Sequence, residues 1–256
     1  MIAARLQEGD EVRIVSPAVS LGFIPEDQKS MARERLEGLG LRLSFSTNAE
    51  VMDRFDSSPV EARVSDLHEA FADSGVRGIL TTLGGYNSNG LLGYLNYDLI
   101  RANPKIFCGF SDITALATAI QARTSLVTYS GPYFTTFGMQ HGIDYTMEYF
   151  ERCLMREEPL EVLPADHWSD DLWYQDQDNR DFVPNPGYEI MYEDEAEGKL
   201  LGGTWEPCAC SSAPRICRIW RVPSSSWRTT RKSMPSTSTV GCNLSFTNLA
   251  SRVCRA

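Results

Sequence analysis

The first 155 positions of the chain alternate between two hydrophobic patterns. Strand-like runs occur at 11–18, 41–46, 76–83, 105–110 and 125–132. The first two alternate apolar with polar residues, whereas 76–83 is nearly continuous in apolar or β-branched residues, which is typical of a buried strand. Amphipathic segments with helical spacing lie between and after them, at 25–40, 58–71, 112–121 and 144–155, with one short helix that ends at Asn103-Pro104. This alternation predicts an α/β domain, a mostly parallel sheet with helices on both faces.

The segment 58–71 has a regular apolar stripe, formed by Val60, Val64, Leu67 and Phe71. Spacings of three and four residues predict that this stripe faces the core. His68 lies beside the stripe, and a lone histidine on a helix flank is more typical of a structural or solvated residue than of a catalytic one.

Candidate chemistry collects where the predicted strands end. In parallel sheets ligands bind at the carboxyl ends of the strands, and this edge would carry Ser16-Pro17, Gly84-Gly85, Ser111 and Ser130-Gly131. Ser111 stands where a strand breaks at Gly109 and a helix begins. A hydroxyl on a sharp strand-to-helix turn is exposed at the sheet edge, which favours Ser111 as a nucleophile.

The loop Gly84-Gly-Tyr-Asn-Ser-Asn-Gly90 follows the third predicted strand. Such a loop can present backbone N–H groups to a phosphate or to a transient oxyanion. It contains neither the Gly-Lys-Ser/Thr of a P-loop nor the G-x-G-x-x-G of a dinucleotide site. A tight turn with no ligand would require the same glycines, so both interpretations stay open at this point.

Composition changes abruptly near residue 204. We predict an α/β nucleophile domain at 1–160, a linker or lid at 161–186, the start of a second, β-rich domain at 187–204, and an irregular basic tail at 205–256. The tail has eight Lys and Arg residues and a single acid, although the whole chain has a net charge of −10. Its scattered Trp, Cys and Arg residues resemble translation out of frame more than a selected arm, so a basic arm for nucleic acid is the weaker interpretation.

The overall charge and the cysteine pattern exclude several classes of function. A net charge of −10 argues against a general nucleic-acid binder. The sequence has no apolar signal core and no apolar run of about 18 residues, so we expect a cytoplasmic protein without a membrane span. Cys108 and Cys153 are predicted core residues, and Cys208-Ala-Cys210 lacks zinc-site spacing, so no metal site or cofactor is expected.

Four motifs in order resemble the LD-carboxypeptidase family of serine peptidases, especially its microcin C immunity branch. They are Gly84 to Leu92, Asn103-Pro-Lys, Gly109-Phe-Ser-Asp-Ile-Thr-Ala-Leu116 and Leu126 to Pro132, within a resemblance that extends to about Gly203. The resemblance implies a cytoplasmic, metal-free hydrolase, homodimeric in the family. It would cut an amide bond near a free carboxylate, in a murein tetrapeptide or a peptide-nucleotide antibiotic.

The resemblance also assigns roles to residues. Ser111 would be the nucleophile, the backbone N–H groups of Asp112 and Gly85 would form the oxyanion hole, and Gly84, Tyr86 and Asn87 would contact the substrate. The family triad also needs a glutamate and a histidine from the carboxy-terminal domain. No histidine follows His167 here.

We therefore expect this chain to have lost family catalysis, because an unassisted serine hydroxyl is a poor nucleophile. His141 or His167 could replace the base only if the fold brought it to Ser111. The alternative function is a non-catalytic module that binds a peptide or nucleotide on the same fold.

Overall fold

The computed structural model describes residues 1–158, 160–189 and 202–203, and its centre is a parallel four-stranded sheet. The strands are β1 (Glu11–Val15), β2 (Arg42–Phe45), β3 (Val76–Thr81) and β4 (Ile106–Cys108), in the spatial order β2-β1-β3-β4. β3 and β4 are buried along almost their whole length, as their continuous apolar runs predicted. The α/β prediction is confirmed.

Five α-helices accompany this sheet in the described part of the chain. They are α1 (Glu26–Gly38), α2 (Val60–Ala72), α3 (Tyr97–Ala102), α4 (Thr114–Thr124) and α5 (Asp144–Leu154). Short 3₁₀ turns lie at Leu21–Phe23, Ser88–Leu91, Ser111–Ile113 and Phe134–Gly138. The helix after β4 therefore begins two residues later than predicted, because its first turn is a 3₁₀ turn.

The strand order places the helices on both faces of the sheet. From β1 the chain moves outward to β2 and then crosses back past β1 to β3. Because such crossovers are right-handed, α1 lies on one face and α2 on the other. Contacts agree with this, since α2 packs against α3 and α3 against α4, whereas α1 packs against the 134–138 turn. The direction of winding reverses between β1 and β3, where open α/β sheets bind ligands.

The predicted fifth strand at 125–132 is wrong as a strand. One bridge, between Cys108 and Tyr129, joins this segment to β4 in the described structure. Tyr129 donates to Phe107 O at 2.9 Å. Two residues earlier, the Val127 N–H donates instead to Met1 O at 2.8 Å. The amino terminus therefore takes a hydrogen bond that a continuous strand would have given to β4.

The buried face of α2 differs from the predicted stripe. Arg63, Asp66, Leu67, Ala70 and Phe71 are buried, whereas Val60 and Val64 are only partly buried against the core. Burial of a charged side chain is tolerated where hydrogen bonds compensate its lost hydration. Asp66 satisfies this condition, since it accepts from the Ser46 hydroxyl at 2.8 Å and from the Asn48 backbone and amide side chain.

The other core predictions are confirmed. In α5, Phe150 and Leu154 are buried and Met147 packs against the core. Cys108 is buried, its thiol donates to Pro132 O, and burial raises its pKa. Cys153 is partly buried against the same core.

The segment 160–189 folds back onto the first domain. It contains a two-stranded antiparallel sheet, β5 (His167–Trp168) and β6 (Val183–Pro184). The Tyr145 hydroxyl on α5 donates to Leu163 O at 2.6 Å, and Arg180 donates to His141 O at 3.2 Å. Whether this segment acts as a linker or a lid stays a prediction. Apart from 187–189 and 202–203, the predicted second domain at 187–204 and the basic tail at 205–256 lie outside the described residues.

Candidate active site

Ser111 lies at the corner between β4 and α4, at the carboxyl edge of the sheet. Its φ of 59° is left-handed, a conformation that a serine adopts rarely and that recurs at functional sites. The side chain is partly buried, and within the described residues no hydrogen bond involves its hydroxyl. The sequence argument for a nucleophile on a sharp turn thus rests on a real backbone feature.

Two glycines let the backbone pack closely around this corner. A β-carbon at Gly109 would lie 2.2 Å from Thr81 Oγ1 of β3. A β-carbon at Gly84 would lie 3.0 Å from Ser111 Cβ, 3.1 Å from its Oγ and 3.7 Å from the Asp112 nitrogen. The loop after β3 and the turn after β4 therefore meet at the serine hydroxyl. A side chain at Gly109 would overlap Thr81, and one at Gly84 would be tightly packed against Ser111.

Gly85 faces the loop after β1. A β-carbon there would lie 3.1 Å from both Ala18 Cβ and Val19 Cγ2. Val19 in turn donates its N–H to Gly84 O at 3.2 Å. Within the described residues the Gly85 N–H makes no hydrogen bond. The predicted oxyanion donor therefore lies at the point between β1 and β3 where the winding reverses.

The Asp112 carboxylate turns away from solvent and binds the glycine loop. Its Oδ2 accepts from the N–H groups of Asn87 at 3.0 Å and Ser88 at 2.9 Å. The Ser88 hydroxyl donates to the Asp112 carbonyl at 2.7 Å. Asp112 is 5% exposed, so these hydrogen bonds replace the water that its charge would otherwise bind.

Arg63 is a residue of this region that the sequence reasoning missed. Its guanidinium comes from α2 and donates to Pro17 O at 3.0 Å, to Asn87 Oδ1 at 2.9 Å and to Asn87 O at 3.3 Å. Burial lowers its pKa, although the guanidinium still remains charged at neutral pH. The signal in the sequence is an arginine between Val60, Val64 and Leu67, where a purely apolar face was expected.

The predicted substrate contacts have different surroundings. Tyr86 is 95% exposed, with its ring open to a ligand. Asn87 is partly buried, and Arg63 already binds the oxygen of its side chain. Next to Ser111, Phe110 stacks on Tyr133 with ring centroids 4.0 Å apart.

None of the three histidines is hydrogen-bonded to Ser111. His68 Nε2 accepts from the Asn96 N–H at 2.8 Å, which makes His68 a structural acceptor, as its position predicted. His141 and His167 are exposed. Among the residues described, no cluster of His, Cys, Asp and Glu is arranged to hold a metal, and no helix has the length and hydrophobicity to cross a membrane.

Residues 12–131 match the model of the LD-carboxypeptidase N-terminal domain. This chain carries the N-terminal domain of the LD-carboxypeptidase family. Among curated proteins, Putative carboxypeptidase YocD of Bacillus subtilis is 53% identical over 203 residues, which cover 79% of this chain and 62% of that protein.

Solved structures of MccF and of MccF-like proteins share the fold. An MccF-like protein from Bacillus anthracis superposes with a TM-score of 0.78 at 56% identity, covering 79% of this chain and 62% of the other. The microcin C7 self-immunity protein MccF in complex with aspartyl sulfamoyl adenosine gives a TM-score of 0.68 at 30% identity, covering 73% and 58%. The present chain thus spans about three fifths of the length of these relatives.

Proposed function

We propose that this chain supplies the nucleophile of a serine hydrolase of the LD-carboxypeptidase type, with Ser111 attacking an amide carbonyl near a free carboxylate. The observation that carries the proposal is the left-handed φ of 59° at Ser111, together with the approach of Gly84 to its hydroxyl. A backbone strained in this way at the end of a strand exposes the hydroxyl to a substrate.

Catalysis would proceed by addition and elimination. Ser111 Oγ bonds to the carbonyl carbon, its proton passes to a base, and the carbonyl oxygen becomes an oxyanion. The backbone N–H groups of Gly85 and Asp112 would hold that oxygen. Loss of one such donor typically slows acyl transfer by roughly a hundredfold or more. The amine then leaves with a proton, and water hydrolyses the acyl-serine.

The proposed substrates are a murein tetrapeptide or a peptide-nucleotide. Relatives support both classes, since one is named murein tetrapeptide carboxypeptidase and MccF has been solved with an aspartyl sulfamoyl nucleotide. The exposed Tyr86 ring, next to Gly85 in the same loop, offers aromatic surface for such a ligand. A cytoplasmic homodimer, which the family resemblance implies, completes the proposal, and light scattering of the purified protein tests the dimer.

The second candidate is a binding module that holds the same ligands without turnover. It is favoured by one observation, that none of the three histidines hydrogen-bonds to Ser111. Without a base the serine hydroxyl attacks amides very slowly. Both candidates share the binding site and differ only in the supply of a proton acceptor.

The test supplies that acceptor from solution. Hydrolysis of 4-nitrophenyl acetate is followed with and without imidazole, for the wild-type chain and for Ser111→Ala. Imidazole hydrolyses this ester by itself, so the protein-free rate is subtracted at each imidazole concentration. The hydrolase proposal expects a remaining imidazole-dependent rate that Ser111→Ala abolishes, and equal remaining rates for the two proteins would refute it. Labelling of Ser111 by a fluorophosphonate probe without added imidazole would refute the lack of a base. Calorimetry with aspartyl sulfamoyl adenosine measures ligand binding separately.

A further inference from the structure

One buried cation connects the loops that surround the nucleophile. Arg63 is 5% exposed and bonds to the loop after β1 through Pro17 O and to the loop after β3 through Asn87. Hydrogen bonds from a charged donor are about twice as strong as neutral ones. Arg63 lies on α2, a regular helix of thirteen residues, so its side chain connects both loops to one rigid element.

The same asparagine connects this support to the nucleophile turn. The Asn87 N–H donates to the Asp112 carboxylate, and Asp112 is the residue next to Ser111. Hydrogen bonds therefore connect the Arg63 cation to Asn87 and Asn87 to the Asp112 carboxylate. Gly84 and Gly85 lie between β3 and Asn87, so these contacts fix the carboxyl end of the loop that bears the proposed oxyanion donor.

We propose that Arg63 is a positioning residue, which acts through Asn87 to hold the Gly85 N–H at its distance from Ser111. This inference rests on the proposed function of Gly85 and Ser111. Within the described residues Arg63 hydrogen-bonds to neither the Ser111 hydroxyl nor Gly85. Its effect on rate is therefore geometric, and displacement of a donor by about 1 Å is enough to cost on the order of a hundredfold.

The arrangement also explains why a cation occupies this place on α2. An apolar side chain would leave the Pro17 carbonyl and the two Asn87 oxygens without this donor. It would also remove the positive charge that the Asp112 carboxylate attracts. Burial lowers the pKa of Arg63, and the negative charges of Asp53 and Asp112 oppose that effect. The loop would then settle in a new position to regain hydrogen bonds, and Gly85 would move with it.

The experiment compares Arg63→Met, Arg63→Lys and the control Arg77→Met, an exposed arginine on β3. The first measurement is the ¹H–¹⁵N spectrum with amide exchange rates. We expect Arg63→Met to shift the Gly85, Asn87 and Ser88 amides and to raise the exchange of the latter two at least tenfold. Amides of β3 and β4 should stay in place. Arg77→Met should leave the loop amides unchanged.

The second measurement is imidazole-assisted, Ser111-dependent ester hydrolysis. Arg63→Met should lower kcat roughly 10- to 100-fold with KM within about twofold, because positioning acts on the transition state. Arg63→Lys, which keeps the charge, should recover part of the loss. A kcat within twofold of wild type in Arg63→Met, or loop amides that stay in place, would overturn the proposal.

A second variant and a second outcome distinguish failure of this proposal from misfolding and from failure of the proposed function. If Arg63→Met does not fold, Asn87→Ala removes the side-chain acceptor of Arg63, Asn87 Oδ1, from a partly buried loop position. It must shift the Gly85 amide and lower kcat in the same direction, and failure to do so overturns the proposal. If wild type shows no Ser111-dependent hydrolysis but Arg63→Met moves the loop amides, the catalytic assignment fails while the positioning of the loop by Arg63 is supported.

Discussion

Gly109→Ala tests the close packing that places Ser111 at the sheet edge. The new methyl group would lie 2.2 Å from Thr81 Oγ1, 3.1 Å from Ile113 Cγ2 and 3.3 Å from Thr81 Cβ. Thr81 is completely buried in β3, so it has no solvent-filled space to move into. The strand end must shift instead, and Ser111 lies only two residues further on.

The expected cost follows from this overlap. Overpacking of a tight core costs about 1–3 kcal/mol, and an overlap of more than 1 Å with a rigid neighbour belongs at the upper end of that range. We expect about 3 kcal/mol of lost unfolding free energy, or a Tm lower by about 6–12 °C in a protein of this size. Urea unfolding followed by circular dichroism and a thermal scan measure the two quantities.

A second substitution isolates the clash. Thr81→Ala removes the oxygen that the methyl group meets, so the double variant Gly109→Ala/Thr81→Ala should be more stable than the sum of the two single effects by about 1–2 kcal/mol. Gly90→Ala is the matched control, because nothing lies within 4 Å of a β-carbon there. Additive single effects, or equal losses for Gly109→Ala and Gly90→Ala, would refute the packing argument.

Three other predictions concern polar groups that are buried or partly buried. Asp66→Ala should lower the unfolding free energy by about 2–3 kcal/mol in urea titrations, since three donors lose their buried acceptor, whereas the exposed Ser65→Ala should change it by less than about 0.5 kcal/mol. Lys105→Met should cost about 1–3 kcal/mol in the same assay, because its ammonium group donates to two backbone carbonyls at 2.5 and 2.6 Å. Burial lowers the pKa of His68, and its neutral ring accepts a hydrogen bond from the Asn96 N–H. The contribution of His68 to stability is therefore present above its pKa in the unfolded chain, about 6.5, and is lost as pH falls through its lower pKa in the folded protein. His68→Gln should therefore reduce the stability difference between pH 7 and pH 5, and an unchanged difference would contradict this.

The sequence pattern predicted the strands and helices correctly wherever the hydrophobic periodicity agreed with the residues that end an element. The four strands and five helices lie at the predicted places because buried strands need continuous apolar runs and because Asn103-Pro104 and the glycines end elements by their backbone chemistry. The segment 125–132 failed because its pattern carries no information about competing partners. Met1 is distant in sequence from Val127, and its carbonyl takes a hydrogen bond that the pattern assigned to the sheet.

The same division holds in the candidate site. The sequence by itself determined that a serine follows a glycine at a strand-to-helix corner, since that order of residues is a local property. Only the tertiary structure decided what surrounds the corner: Gly84 against the Ser111 hydroxyl, and Asp112 turned toward Asn87. Helical periodicity ranks residues by hydrophobicity, so it assigned Val60 and Val64 to the core in place of Arg63 and Asp66. Those charges are buried because loops from three distant strands offer hydrogen bonds to them, and that arrangement exists only once the sheet has formed.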